Sequence, residues 1–200
     1  LLFLERLLPH AIIALPFSLL ITNPVLVFNF VFITTFVLNY ISAFLFWKQI
    51  IKKQILAFLG ALLIVFSPAL HAQLGHFQMQ SYWPFFFALY FLFKNKDENK
   101  LRNTILVGIF LSIQFLASVY LAVFLLFTLF VYYLVRFIMT KEKYASIKNF
   151  GLILLIFLIL DGVFIKGYAE TKKIYNIFLT TYEYVQYSAH LSDFFFSRNI

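Results

Sequence analysis

The stretch PVLVFNFVFITTFVLNYISAFLF, residues 24–46, contains no charged side chain over 23 positions. A helix rises about 1.5 Å per residue, so a stretch of this length covers the roughly 30 Å hydrocarbon core of a bilayer. It also ends close to a basic cluster formed by Lys48, Lys52 and Lys53. We therefore predict that residues 24–46 form a membrane-spanning helix.

The composition of the whole chain agrees with this prediction. Of the 200 residues, 63% are hydrophobic, 12% are charged and 29 are Phe. A water-soluble domain of this size could not bury so many apolar side chains. The sequence thus predicts an all-α, polytopic membrane protein. The absence of Cys excludes disulfides, thiolate nucleophiles and thiolate metal sites.

Further apolar runs set the expected number of spans. Residues 104–135 as a single helix would be about 48 Å long, which is more than a tilted span needs, so we expect two helices with a tight turn near Ser118. Residues 7–22 are interrupted by Pro9, His10 and Pro16. We interpret them as a re-entrant or interfacial helix. About six transmembrane helices result, with the remaining runs at residues 54–69, 83–93 and 149–165.

The basic residues indicate the orientation of these spans. With a hairpin at 104–135, three clusters holding 11 of the 16 Lys and Arg fall on one side of the membrane. The positive-inside rule makes that side cytoplasmic, and the clusters determine topology without implying a nucleic-acid partner. The predicted organisation is a single transmembrane domain over 1–200, comprising an external loop remnant with the interfacial helix (1–23), a helical bundle (24–165) and an external segment (166–200).

Polar residues concentrate in the loop between two apolar runs, FSPALHAQLGHFQMQSYWP, residues 66–84. His71, His76 and Gln78 are candidates for binding a polar substrate there. The competing interpretation is that these side chains are merely solvated or interfacial. The two His are five residues apart and the loop has no Cys and no carboxylate, which does not favour a divalent metal site.

Four further residues are candidate site residues on the same external face. Glu5 is a candidate catalytic carboxylate, and Arg6 is a candidate cation for substrate binding. The competing interpretation is that the two form only an interfacial ion pair. Asp161 lies inside an apolar run, where an ionisable group is a functional hypothesis by default, although water or Lys166 near the outer end could satisfy it. His190 lies in the external segment.

Several short motifs run in order through the chain. They are Glu5 with Leu7-Leu8-Pro9, Asn23-Pro24, Phe66-Ser67-Pro68 with His71, Gly75-His76-Phe77-Gln78, Trp83-Pro84, Gly108 with Gln114 and Ser118-Val119-Tyr120, and Tyr187-Ser188-Ala189-His190-Leu191-Ser192-Asp193. Together these motifs resemble the GT-C glycosyltransferase superfamily of bacterial polytopic membrane proteins, in particular relatives of mannosyl- and aminoarabinose-transferases.

The resemblance implies transfer of a sugar from a polyprenyl-phosphate donor to an acceptor on the external face of the bacterial inner membrane. It implies a carboxylate in the first external loop as base or acceptor-orienting group. Glu5 matches a later acidic position of that loop. The loop's Asp would precede Leu1, so we expect the chain to be a fragment whose hexosyltransferase-like activity requires the full-length protein. The alternatives are a non-catalytic membrane scaffold, a lipid-carrier-binding protein or a secondary transporter.

Overall fold

The computed structural model describes residues 7–68, 76–98 and 100–174, with the side chains of 96–98 and 172 left aside. Within these ranges the chain is helical between short connections and contains no strand, which confirms the all-α prediction. A short 3₁₀ turn, Phe77–Gln80, precedes the fourth helix. The helices are α1 Leu8–Leu20, α2 Pro24–Ile51, α3 Gln54–Val65, α4 Trp83–Glu98, α5 Leu101–Ala117, α6 Val119–Met139 and α7 Lys143–Ile174.

Three helices in the described ranges are long and apolar enough to cross a membrane: α2, α6 and the part of α7 from Lys143 to Thr171. Helices α1, α3 and α5 are apolar but shorter. Large apolar side chains remain exposed along the three long helices, for example Ile33 of α2 at 58%, Phe127 of α6 at 65% and Leu158 of α7 at 57%. An apolar surface of this extent fits a hydrocarbon solvent better than water.

The helices alternate in direction through the bundle. The Phe93 ring near the end of α4 lies 5.6 Å from Phe46 near the end of α2 and 6.0 Å from Tyr132 near the end of α6. These three helices therefore end together, and α3, α5 and α7 begin there. Ten of the described basic residues gather at this end of the bundle, which we call the basic end: Lys48, Lys52, Lys53, Lys94, Lys100, Arg102, Arg136, Lys141, Lys143 and Lys148. Lys166 and Lys173 lie farther along α7.

The predicted break near Ser118 is confirmed. Helix α5 ends at Ala117 and α6 begins at Val119, with Ser118 in an extended conformation at φ −157° between them. The Ser118 hydroxyl accepts a hydrogen bond from Leu121 N and so caps α6. A single residue is thus enough to reverse the chain.

Other predicted runs appear with different lengths. Residues 7–22 contain one continuous helix, α1, because Pro9 occupies the first turn, where no backbone donor is needed, and Pro16 is accommodated farther along. Helix α4 begins at Trp83 as expected and extends to Glu98. Helix α7 continues past residue 165 to Ile174, so the expected domain boundary at 165/166 falls within a helix.

The core lies between α2, α4, α5, α6 and α7. Its buried side chains are mostly aliphatic, and many aromatic rings pack around them. Small residues allow close helix contacts. A Cβ built on Gly108 of α5 would stand 3.0 Å from Ile156 Cβ of α7, so this glycine permits the two helices to approach. The most completely buried core residues include Leu92, Val107, Leu111, Leu125, Leu129 and Ile153.

Candidate functional site

The polar loop enters the bundle at the end opposite the basic residues. After residues 66–68, its next described part begins at His76, forms the 3₁₀ turn Phe77–Gln80 and leads through Ser81 and Tyr82 into α4. Gln80 and Ser81 are completely buried. Because backbone groups removed from water need partners, this loop segment, residues 76–82, requires hydrogen bonds from the surrounding helices.

Asn39 of α2 supplies two of these hydrogen bonds. Its side-chain Nδ2 donates to Gln80 O at 2.6 Å, and its Oδ1 accepts from Tyr82 N at 2.9 Å. Asn39 is 1% exposed and lies in the middle of a predominantly apolar helix. One amide therefore satisfies a backbone acceptor and a backbone donor on either side of Ser81.

Gln114 of α5 does the same from another direction. Its Nε2 donates to Ser81 O at 3.1 Å, while Oε1 accepts from Phe85 N at 3.0 Å. Phe85 lies in the first turn of α4, where backbone N–H groups have no partner within the helix. Gln114 thus caps α4 from a neighbouring helix and fixes the loop to it.

His10 of α1 closes a third side. Its Nε2 forms a hydrogen bond with the Ser81 hydroxyl, and its ring centroid lies 4.5 Å from that of Phe77. His10 is 4% exposed, and this burial lowers its pKa from 6.5 to about 4. The imidazole is consequently neutral at physiological pH, since desolvation disfavours the charged form.

Ser118 at the α5–α6 turn completes the contacts, with its Oγ 3.8 Å from Met79 Sδ. Phe77 packs beside Phe28 and Phe32 of α2, with ring centroids 5.2 and 6.0 Å away. We refer to His10, Asn39, Gln114 and Ser118 as the polar clamp. The clamp holds the loop segment by side chains from four different places in the chain.

An apolar groove of about 350 Å³ lies directly beside the polar clamp. On three helices a groove residue is the sequence neighbour of a clamp residue: Pro9 precedes His10, Leu38 precedes Asn39 and Ile113 precedes Gln114. Trp83, immediately after the loop segment, forms another wall. The remaining lining residues are Leu8, Ile12, Ile13 and Leu116.

The polar clamp is electrically neutral. It consists of two amides, a hydroxyl and a neutral imidazole, so it donates and accepts hydrogen bonds but carries no formal charge. Within the described ranges, no group of three His, Asp or Glu side chains is placed to hold a metal ion. The arrangement is suited to positioning the loop segment.

The predicted site residues are distributed unevenly with respect to this clamp. His76 is exposed at the start of the loop segment, and Gln78 is half-buried within its 3₁₀ turn. Asp161 is fully buried on α7, a helix that contributes no side chain to the clamp. Glu5, Arg6, His71 and His190 lie outside the described residues.

Sequence reasoning did not single out Asn39, and it used His10, Gln114 and Ser118 only as markers of topology or resemblance. A usable signal was nevertheless present. Asn39 and Gln114 are amides within apolar runs, where an unpaired polar group costs roughly 2–7 kcal/mol. Such a residue implies a partner on another segment.

A family model described as a domain of unknown function, DUF6311, matches residues 9–200. The chain belongs to the DUF6311 family. No curated protein matches the chain, and no solved structure does.

In this DUF6311 chain, the family match includes the whole polar clamp and every lining residue of the groove except Leu8. It also includes the loop candidates His71, His76 and Gln78, together with Asp161 and His190. Glu5 and Arg6 precede the matched residues. The clamp and the groove are thus features of the part of the chain that defines its membership of the family.

Proposed function

We propose that this DUF6311 protein is a membrane glycosyltransferase that moves a sugar from a polyprenyl-phosphate donor to an acceptor at the loop end of the bundle. The observation that carries the proposal is the apolar groove lying against the polar clamp. A lipid-linked sugar combines a hydrocarbon chain with a polar head, and it needs an apolar surface beside hydrogen-bonding groups. The resemblance to GT-C glycosyltransferases supplies the reaction class.

The groove has the properties expected of a site for a lipid chain. Its volume of about 350 Å³ lies within the roughly 300–1,000 Å³ common among ligand sites. Its named lining residues are all apolar or aromatic.

In the proposed reaction the acceptor hydroxyl attacks the anomeric carbon, the bond to the phosphate oxygen breaks and the lipid phosphate leaves. Glu5 accepts the hydroxyl proton or orients the acceptor. Arg6, His71, His76, Gln78 and His190 bind the donor, with Arg6 countering the charge of the leaving phosphate. Asp161 is retained as a further binding candidate on α7.

The proposed topology has six spans, α2 through α7, with α1 at the interface. Helices α3, α4 and α5 are shorter than the other three, so they would cross a locally thinned bilayer or lie beside the polar clamp rather than in lipid. The basic end faces the cytoplasm by the positive-inside rule, and the loop end faces outward from the bacterial inner membrane.

A second candidate function is that of a lipid-carrier-binding protein without catalysis. The neutrality of the polar clamp favours it, because none of the four clamp side chains is a carboxylate that could serve as a base. In this function the groove would hold the polyprenyl chain and the loop would recognise its head group.

The groove can be tested with a matched pair of substitutions on α2 in the full-length protein. Leu38→Trp fills the groove, whereas Val37→Trp places the same ring on the neighbouring position, which is 50% exposed on the outer surface. We expect Leu38→Trp to lower both the binding of a polyprenyl-phosphate hexose and sugar transfer by at least tenfold, with Val37→Trp close to wild type. Glu5→Gln should abolish transfer while preserving binding.

These measurements separate the two functions. Binding that depends on Leu38, combined with no transfer by the wild-type protein across a panel of polyprenyl-phosphate hexoses and acceptors, would support the lipid-carrier-binding function and reject the transferase. Equal binding by wild type, Leu38→Trp and Val37→Trp would refute the groove as a lipid site and with it both candidates.

A further inference from the structure

A second, larger cavity lies at the basic end of the bundle, far along the helices from the polar clamp. Its volume is about 710 Å³, and it lies between the end of α4, the last turns of α6 and the connection into α7. The apolar part of its lining consists of Phe93, Val135 and Met139. Its polar part consists of Tyr132, Arg136, Thr140, Lys141 and Glu142.

The position of Arg136 distinguishes this cavity from an ordinary gap between helices. The Arg136 side chain is only 13% exposed, although it lies in the last turn of a membrane helix. It forms an ion pair with Glu142, Nη2 to Oε2, at 2.5 Å. The Glu142 side chain is 57% exposed, so the carboxylate lies at the rim and the guanidinium lies deeper.

Glu142 does not use the full binding capacity of Arg136. A guanidinium carries five N–H donors in a planar fork that matches the oxygens of a phosphate. The hydrogen bond with Glu142 involves one of its terminal nitrogens, and Tyr132 is a second side-chain partner. Lys141 adds a second cation to the lining, which gives the cavity two positive side chains and one negative one.

We propose that this cavity binds the phosphate head group of an anionic phospholipid of the surrounding membrane. The two cations would face the phosphate, and the exposed apolar side chains of Val135 and Met139 would contact the first part of the acyl chains. Basic pockets between membrane helices at the cytoplasmic surface are typical sites for anionic lipid heads. This proposal concerns the opposite end of the molecule from the groove and does not depend on the proposed enzymatic function.

Substitutions in the ion pair distinguish a structural role of Arg136 and Glu142 from a role in lipid binding. The two roles predict opposite effects of Glu142→Gln. If Arg136 and Glu142 only stabilise the α6–α7 turn, then Arg136→Gln and Glu142→Gln remove the same interaction and should have the same effect. If the cavity binds a phosphate, Arg136→Gln removes the main ligand, whereas Glu142→Gln removes a competing negative charge.

The experiment uses the whole chain purified in a neutral detergent and titrated with short-chain phosphatidylglycerol, with phosphatidylcholine of equal chain length as the control. Thermal unfolding reports binding, because a ligand of the folded state raises Tm. We expect phosphatidylglycerol to raise Tm more than phosphatidylcholine. Arg136→Gln should raise the phosphatidylglycerol concentration needed for this rise in Tm by about tenfold or more, as expected for the loss of charge-assisted hydrogen bonds. Glu142→Gln should strengthen it.

Three results would overturn the proposal. The first is an equal response to the two lipids in the wild-type protein. The second is a parallel loss of the phosphatidylglycerol response in Arg136→Gln and Glu142→Gln. The third is an equally large rise in Tm with glycerol 3-phosphate alone, because that would identify a site for a soluble phosphate.

Discussion

The two ends of the bundle manage polar groups in opposite ways. At the loop end, neutral amides are buried and reach across the sequence: Asn39 bonds to residues 41 and 43 positions away, and Gln114 to residues 33 and 29 positions away. At the basic end, charged groups have nearby partners, as in the largely buried Arg136 with Glu142 six positions later and Lys94 with Tyr90 four positions earlier.

This difference has an energetic origin. A buried amide without partners is costly, so each hydrogen bond of the polar clamp excludes other positions of the loop segment. A charge at the membrane surface keeps much of its hydration, and pairing it with a neighbour contributes about 0–1 kcal/mol. The loop end therefore defines the tertiary structure more strongly than the basic end does.

The largest expected difference between the ends is accessibility from outside the cell. Because the chain has no Cys, single substitutions give unambiguous labelling. We expect His76→Cys to react with an impermeant thiol reagent in intact cells. Lys100→Cys and Lys143→Cys should react only after permeabilisation. Labelling of Lys143→Cys but not Lys100→Cys in intact cells would contradict the placement of both connections at the same end.

The polar clamp should dominate stability among the polar groups. Asn39→Leu removes the hydrogen bonds to Gln80 O and Tyr82 N, at about 1–3 kcal/mol for each buried group. We expect the free energy of unfolding, measured by SDS titration in mixed micelles, to fall by about 2–6 kcal/mol in total. Gln114→Leu should have a comparable effect.

The control for this prediction lies on the same helix. The Thr34 hydroxyl bonds only to the Phe30 carbonyl one turn earlier, so Thr34→Val should change stability by no more than about 0.5 kcal/mol. Asn39→Leu combined with Gln114→Leu should cost less than the sum of the single changes, because both amides hold the same loop segment. Full additivity would show that the two amides act independently.

His10 should make the loop end sensitive to acid. Its pKa is about 4 in the folded protein and 6.5 in the unfolded chain, so the unfolded state binds more protons below pH 6.5 and stability falls as pH decreases. Between pH 7.5 and pH 5 the loss attributable to His10 should be about 2 kcal/mol.

His10→Gln preserves a side-chain donor and acceptor without a titratable ring. The unfolding free energy of wild type should therefore fall more steeply with acid than that of His10→Gln, and the difference between the two curves isolates this residue from all other titrating groups. Parallel curves would mean that His10 does not remain neutral and buried against Ser81.

The sequence predicted the helical class, the break at Ser118 and the grouping of basic residues, because these depend on hydropathy, helix length and charge along the chain. It did not predict the polar clamp. Asn39 and Gln114 bond to backbone atoms, which nearly every residue carries and which therefore leave no signal in the sequence. The pattern indicates that a buried amide needs a partner but not which of many peptide groups provides it.

The smallest expected effect tests the basic end, where a turn rather than a tertiary network shapes the chain. Lys52 ends α2 in the left-handed conformation, with φ 59° and ψ −12°. Non-glycine residues adopt this conformation at a cost of roughly 1–2 kcal/mol, whereas glycine favours it after a helix. Lys52→Gly should therefore stabilise the protein by about 1 kcal/mol, less than the full cost because glycine also gains freedom in the unfolded chain.

Lys53→Gly is the matched control: it removes the same charge from the next residue, whose φ is −93°. It should leave stability unchanged or lower it, since no left-handed strain is relieved there. If both substitutions stabilise equally, the gain comes from reducing repulsion among the lysines, and charge would then affect the stability of the basic end as well as its orientation.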